Sequence, residues 1–203
     1  MNVLVAFDLE GTIINEEFLG ELAEVIGKKK EVYKITRDGQ EGKIDWLTGL
    51  KKRIDLLRGM DQETIEKLSS KYTIASGVRE LFEMLHNSGY KTAIITAGFK
   101  IMAEKVAAEL KAEYLIANEF IFENGKLQDA IVTVNCNKDI HLKELISKSN
   151  SEYTIAMSDG IVDLPMLDAA DCGMLIRDHS FKGFKKILQA LSSGPISQRG
   201  TVI

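Results

Sequence analysis

The sequence predicts an α/β protein: a three-layer, doubly wound, Rossmann-like parallel sheet with a small helical cap inserted after its first strand. Short β-rich apolar runs alternate with longer amphipathic segments, which is how a parallel sheet with crossover helices reads along a chain. Residues 15–75 break that alternation with helical patterns alone. Polar residues able to do chemistry follow the apolar runs, at the edge where open α/β sheets bind ligands.

The first strand is expected at residues 3–7, ending at Asp8 and Glu10. The next block holds the helical patterns EEFLGELAEVIG, IDWLTGLKKRIDLL and DQETIEKLSSKY, with no strand between them. The core should resume near Ser76, so the expected division is a core of 1–14 and 76–203 and a cap of 15–75. In SGVRELFEMLHNSGY, residues Val78, Leu81, Phe82 and Leu85 share a helical face and Gly89 provides a stop. A strand at 92–95, the helix FKIMAEKVAAEL and a strand at 114–117 follow. Asn124-Gly125, between alternating runs, signals a tight turn with positive φ at both residues, so a β-hairpin is expected at 120–134. The helix KDIHLKELISKS and strands at 153–157 and 173–176 complete the core. The tail SSGPISQRGTVI mixes Gly, Pro and Ser and reads as loosely attached.

Composition narrows the function classes. With 203 residues, 45% apolar and 28% charged, the chain can bury a core of its own. A formal charge of -4, and basic runs no longer than residues 28–30 and 51–53, give no footprint for nucleic acid. Cys136 and Cys172 match neither a metal-ligand spacing nor a disulfide framework; both read as small buried hydrophobes in a reducing cytoplasm. A first strand starting at residue 3 leaves no room for a secretion signal, and no apolar run reaches membrane-spanning length. The expectation is a cytoplasmic monomer or homodimer with neither nucleic acid nor membrane as a partner.

The strand ends carry Asp8 and Glu10, then Thr96, then Lys138 just before a helix, then Asp159 and Asp163. Carboxylates in this set suit Mg²⁺, a hard cation that takes oxygen ligands, and no His or Cys cluster points to zinc. A hydroxyl and an ammonium beside such a cation suit phosphate oxygens during phosphoryl transfer. An aspartate can serve as nucleophile and form an aspartyl-phosphate. Glu10, two residues after Asp8, returns to the same side of an extended backbone and could protonate the leaving oxygen, then deprotonate water.

DLEGT at 8–12, IITAGF at 94–99, NKDIHLKEL around Lys138 and AMSDGIVDLPML at 156–167 resemble, in order, the four motifs of the haloacid dehalogenase superfamily. The likeness is greatest to its phosphoserine phosphatases, whose arginine-bearing cap helix EGKIDWLTGLKKRIDLL at 41–57 also resembles. The resemblance implies that Asp8 is nucleophile and Mg²⁺ ligand, and that Glu10 is the general acid/base whose backbone carbonyl also meets the metal. Asp159 would complete the metal set, with Asp163 supporting it from behind. Thr96, the amides near Ala97 and Gly98, and Lys138 would hold the phosphoryl group. Glu17 would face a substrate ammonium and Arg53 would read its carboxylate, for which a guanidinium fork is suited.

The implied activity is Mg²⁺-dependent hydrolysis of a small phosphomonoester, an amino-acid phosphate with phosphoserine foremost. Four residues depart from the resembled pattern: Glu10 for Asp, Gly11 for Ser, Ala97 for Gly and Val162 for Asn. Glu10 keeps open a phosphotransferase that passes the group to an alcohol such as homoserine. Ala97 and Val162 keep open a non-catalytic binding protein. Trp46 reads as cap core, His141 as a helix-surface residue, and His86 and His179 receive no role.

Overall fold

The computed structural model describes residues 1–177 and the short strand Thr201–Val202. In chain order the elements are β1 (Val3–Phe7), α1 (Phe18–Val25), α2 (Lys29–Gln40), α3 (Trp46–Leu57), α4 (Gln62–Leu68), α5 (Val78–Asn87), β2 (Lys91–Phe99) and α6 (Lys100–Leu110). There follow β3 (Tyr114–Glu123), β4 (Lys126–Ile131), α7 (Lys138–Ser149), β5 (Tyr153–Ser158), a 3₁₀ turn (Ile161–Asp163), α8 (Leu164–Ala169), β6 (Cys172–Leu175) and β7 (Thr201–Val202). The described strands form one sheet in the order β4-β3-β2-β1-β5-β6-β7. Every pairing is parallel except β3 with β4.

Alternation along the central strands splits the core into two layers. Val3, Val5 and Phe7 of β1 join Ile94, Ile155 and Met157 in one apolar cluster, covered by Leu81 and Phe82 of α5 and Met102 and Val106 of α6. Leu4 and Ala6 join Ala93, Ile95 and Ala156 in a second cluster on the opposite face, covered by Leu142 and Leu145 of α7 and Met166 and Leu167 of α8. Because both faces are buried, these strands read as unbroken apolar runs. The outcome is the expected three-layer, doubly wound architecture. Strand order reverses at β1, between β2 and β5, and a crevice opens beyond the carboxyl ends there.

Two local details differ from the pattern reading. The segment 15–75, where at least three helical patterns are expected, contains a fourth helix, α2, of which only Val32 and Thr36 are buried. The strand expected at 114–117 and the first arm of the hairpin are a single strand, β3. Its first half pairs with β2, and its second half pairs with β4 across Asn124 (φ 52°) and Gly125 (φ 72°). Both turn residues have the expected positive φ.

The helices α1, α3 and α4 place Phe18, Leu22, Leu50, Ile54 and Ile65 in the same cluster as one face of the sheet. The hairpin also reaches this helical layer: Gly59 N–H donates to Leu127 O, Leu127 N–H to Met60 O, and Gln62 N–H to Gly125 O. Phe120 stacks on Phe99 with ring centroids 3.7 Å apart and lies 6.4 Å from Phe18, joining strand, hairpin and first helix. Thr201 and Val202 pair with Met174 and Leu175, so that part of the tail belongs to the sheet. The rest of the tail and His179 lie outside the described residues. No helix among the described residues is long and apolar enough to cross a membrane.

Candidate active site

The residues singled out at the strand ends, together with Glu17 and Arg53, line one cleft of about 740 Å³ including its mouth. β1 hands the chain to Asp8, whose N–H donates to Met157 O at 2.9 Å and so stays in register with β5 for one further residue. Gly11 then turns the chain with φ 80°. A Cβ on Gly11 would sit 2.6 Å from Asp159 Oδ2, so the positive φ favours glycine and a side chain there would press the Asp159 carboxylate aside. The departure at position 11 has a local steric reason.

Thr12, which the sequence reading passed over, ties the two strand ends together. Its Oγ1 donates to Asp159 Oδ1 at 2.9 Å, accepts from Asp159 N–H at 3.1 Å and lies 3.5 Å from Asp8 Oδ2. Lys138 opens α7 and is only 5% exposed. Its Nζ is 2.5 Å from Asp8 Oδ1 and 2.8 and 2.9 Å from the oxygens of Asp163. Asp163 Oδ2 also accepts from Ser158 Oγ at 2.6 Å, another contact the sequence did not signal.

These contacts distinguish the carboxylates of the expected metal set from one another. Asp163 has both oxygens engaged by Lys138 and Ser158, so it anchors the lysine rather than presenting a free ligand. Glu10 turns its carboxylate toward the helices: Oε1 accepts from Phe18 N–H, at the start of α1, at 3.2 Å. Asp8 and Asp159, which share the Thr12 hydroxyl, remain as the carboxylates with capacity for a cation.

β2 supplies the next part through an irregularity. Ile95 pairs with Ile116 but Phe99 pairs with Asn118, so Thr96, Ala97 and Gly98 face the single residue Ala117 and bulge from the ladder into the cleft. Gly98 N–H donates to Thr96 Oγ1 at 2.8 Å. Gly98 was expected among the phosphate-binding amides, but its N–H is engaged inside this turn. Thr96 Oγ1 accepts that bond and keeps its own proton for an acceptor in the cleft.

Across the cleft, Arg53 is 5% exposed and held from three sides. Its Nε donates to Gly49 O at 3.3 Å, its Nη1 donates to Thr36 Oγ1 at 3.1 Å, and its guanidinium lies 5.0 Å from the Trp46 ring centroid. Trp46 is thus a platform for Arg53 at the cleft wall, not purely core. Gln40 of α2 and Asn135 also line the cleft and had no distinguishing sequence pattern.

Other side chains depart from their expected places. His141 is buried, with Nε2 3.1 Å from Thr133 O, so it fastens the approach to α7 instead of standing on its surface. Cys172 is buried as expected, whereas Cys136 is exposed.

Charge is concentrated at the floor of the cleft. Burial raises the Asp8 carboxyl to about 7, with Lys138 opposing and Asp163 and Asp159 reinforcing the rise. Burial, then Glu17, raises Glu10 to about 8. Burial works against the Lys138 ammonium, but Asp8 and Asp163 overcome it and hold the group at about 12. Burial also raises Glu17 and lowers Arg53, while the mutual attraction of these two favours both charges.

Asp8, Asp159 and Asp163 therefore set three carboxylates against the one ammonium of Lys138, an imbalance a divalent cation would remove. No cluster of three or more His, Cys, Asp or Glu side chains among the described residues is arranged to hold a metal alone. Mg²⁺ typically binds through one or two carboxylates and takes its remaining ligands from water and substrate phosphate, so an oxygen-only pair fits it.

Comparison with known proteins identifies the family. The model of the haloacid dehalogenase-like hydrolase family matches residues 5–168. The phosphoserine phosphatase of Methanocaldococcus jannaschii is 34% identical over 172 residues, covering 82% of each chain. That of Archaeoglobus fulgidus is 30% identical over 98% of this chain, which spans 58% of the length of that relative. A solved phospho-aspartyl intermediate analogue of phosphoserine phosphatase superimposes with a TM-score of 0.85 at 28% identity, covering 96% of this chain and 99% of the other. A substrate-bound phosphoserine phosphatase matches with the same TM-score of 0.85 at 27% identity, with the same coverage of 96% and 99%. By family match, relatives and fold, the chain belongs to the haloacid dehalogenase-like hydrolases and is phosphoserine phosphatase-like among them.

Proposed function

We propose that the protein is a Mg²⁺-dependent phosphatase for a small amino-acid phosphate, with phosphoserine the leading substrate, acting through an aspartyl-phosphate on Asp8. The observation that carries this reading is the buried Asp8–Lys138 pair, 2.5 Å apart, at the floor of a cleft that also holds Glu10, Thr96 and Asp159. In it, 15–75 forms the cap over a core of 1–14 and 76–203. Relatives named phosphoserine phosphatase support the substrate class.

Asp8, ionised and held by Lys138, attacks phosphorus, and the bond to the ester oxygen breaks. The Lys138 ammonium and the Thr96 hydroxyl meet the charge on the phosphoryl oxygens, where preorganised donors act most strongly. Glu10, with a pKa of about 8, still carries its proton at neutral pH and delivers it to the leaving oxygen. The resulting Glu10 carboxylate takes a proton from water as that water attacks the aspartyl-phosphate, which regenerates Asp8 and releases phosphate. A cation held by Asp8, Asp159 and the Glu10 backbone carbonyl would supply electrostatic neutralisation of the phosphate. Glu17 and Arg53, on the opposite wall, would bind an ammonium and a carboxylate of the leaving group.

Transfer to an alcohol acceptor remains the second reading, favoured by the longer reach of Glu10 and its attachment to Phe18 N–H at the cap entrance. A Mg²⁺-supplemented screen of phosphoserine, phosphothreonine, phosphohomoserine and sugar phosphates separates the readings when free phosphate and phosphorylated acceptor are both measured. Phosphate release that needs Mg²⁺ and disappears in Asp8→Asn is expected. Equal release by Asp8→Asn would sink the mechanism.

A further inference from the structure

We infer that Asn118 is a positioning residue for phosphoryl transfer, locking the Thr96–Gly98 bulge to the segment that carries Lys138. The inference rests on the function proposed above. Asn118 is fully buried in β3. Its Nδ2 donates to Ala97 O at 2.8 Å and to Val134 O at 2.9 Å, while Oδ1 accepts from Thr133 N–H at 2.9 Å and Val134 N–H at 2.8 Å. A carboxamide offers two donors and two acceptor sites, and all are used. The flipped orientation would set donors against donors and acceptors against acceptors, so the network itself fixes the amide.

The groups it joins belong to two separate segments that each carry a cleft residue, Thr96 on one and Lys138 on the other. Ala97 is the middle residue of the bulge, flanked by Thr96 and Gly98. Thr133 and Val134 begin the crossover that ends at Lys138, and that crossover is shaped by its own turns: Asn135 N–H donates to Asn137 Oδ1 at 2.8 Å. His141 Nε2, 3.1 Å from Thr133 O, fastens the same point to α7. Asn118 thus ties the backbone next to the Thr96 hydroxyl to the backbone four residues before Lys138 through one rigid planar group. It lines no part of the cleft, so it acts through Thr96 and Lys138 and does not touch the substrate. A displacement of about 1 Å between such groups can cost about 100-fold in rate.

The test is a double-mutant cycle on the whole protein with Mg²⁺, using the preferred phosphomonoester and p-nitrophenyl phosphate. Asn118→Ala and Asn118→Ser are each measured in the wild-type and Lys138→Met backgrounds, with circular dichroism confirming folding. In the wild-type background kcat should fall at least about 10-fold in a folded variant. In the Lys138→Met background the further loss should be less than about 3-fold, because the relation being held no longer exists. Equal losses in both backgrounds, a loss under about 2-fold in a folded variant, or failure of both variants to fold would overturn the inference. Absence of any phosphatase activity in the wild type would instead overturn the proposed function.

Discussion

Replacing Glu10 with Gln should stabilise the protein at alkaline pH while removing most of its activity on alkyl phosphates. Glu10 is half-buried, and its carboxyl is raised from 4.5 to about 8, chiefly by burial and then by Glu17. A carboxyl raised in the folded state keeps a proton that the unfolded chain has already lost, so stability falls as pH climbs from about 4.5 to about 8 and stays low above that. At ~1.36 kcal/mol per pH unit the full interval corresponds to about 5 kcal/mol. Water entering the open cleft screens part of this, leaving about 2–3 kcal/mol. Gln is close to isosteric, remains neutral throughout and retains an Oε1 acceptor for Phe18 N–H.

The variant should therefore melt close to the wild type at pH 5 and roughly 5–10 °C above it at pH 9, given about 2–4 °C per kcal/mol for a chain of this size. Thermal melts in metal-free buffers from pH 5 to 9 measure this. Phosphate release from phosphoserine should fall about 10²–10⁴-fold, the usual worth of a positioned proton donor. The first-turnover burst of p-nitrophenol, whose departure needs no proton, should fall much less, although steady-state turnover of that substrate also drops because Glu10 activates the water in the second step. A melting difference that stays constant across the pH range would refute the electrostatic reasoning, and a p-nitrophenol burst that slows as much as the first turnover of phosphoserine would refute the assignment of Glu10 as acid.

Lys138→Met leaves Asp8 and Asp163 buried without their counter-ion, which should cost about 3–5 kcal/mol at pH 8. Chemical denaturation at pH 8 and pH 5 should show a smaller deficit at the lower pH, where the raised Asp8 carboxyl becomes neutral. The pH profile of kcat/KM should rise through about 7 as Asp8 ionises and fall through about 8 as Glu10 loses its proton. Saturating Mg²⁺ should move the acidic limb to lower pH, because a nearby cation favours the ionised Asp8; an unmoved limb would place the metal elsewhere. Arg53→Ala should lower kcat/KM for phosphoserine about 10- to 100-fold, the worth of charged hydrogen bonds. It should leave p-nitrophenyl phosphate nearly unchanged, and unchanged kinetics on phosphoserine would remove Arg53 from the substrate site.

Much of the fold and the chemistry was legible because it is encoded locally. An apolar run of strand length followed at once by Asp8 and Glu10 says both what the segment is and which edge of the sheet it serves. Asn124-Gly125 specified its turn because few residue pairs tolerate positive φ twice in succession. The helix α2 was not legible, since it buries only two side chains and its other residues look like an ordinary solvated segment. Arg53 could be read as a candidate from its helix, but the residues that aim it could not. Thr36 lies 17 residues away in α2, and nothing local links the two.

Sequence alone determined which functional groups are present and at which strand ends they stand: the carboxylates, the hydroxyl and the ammonium each sit within a few residues of a recognisable element. Tertiary structure alone decided how those groups are divided into roles. Asp163 became the anchor of Lys138, 25 residues away, and Thr12 became the bridge to Asp159, 147 residues away. Asn118 became the tie between β2 and the approach to α7. Hydrogen bonds and ion pairs are short-ranged and directional, so a partner is defined by where the folded chain returns and not by its distance along the sequence. The same folding buries Asp8 and Glu10 beside like charges, and only that burial sets the protonation states on which the proposed chemistry depends.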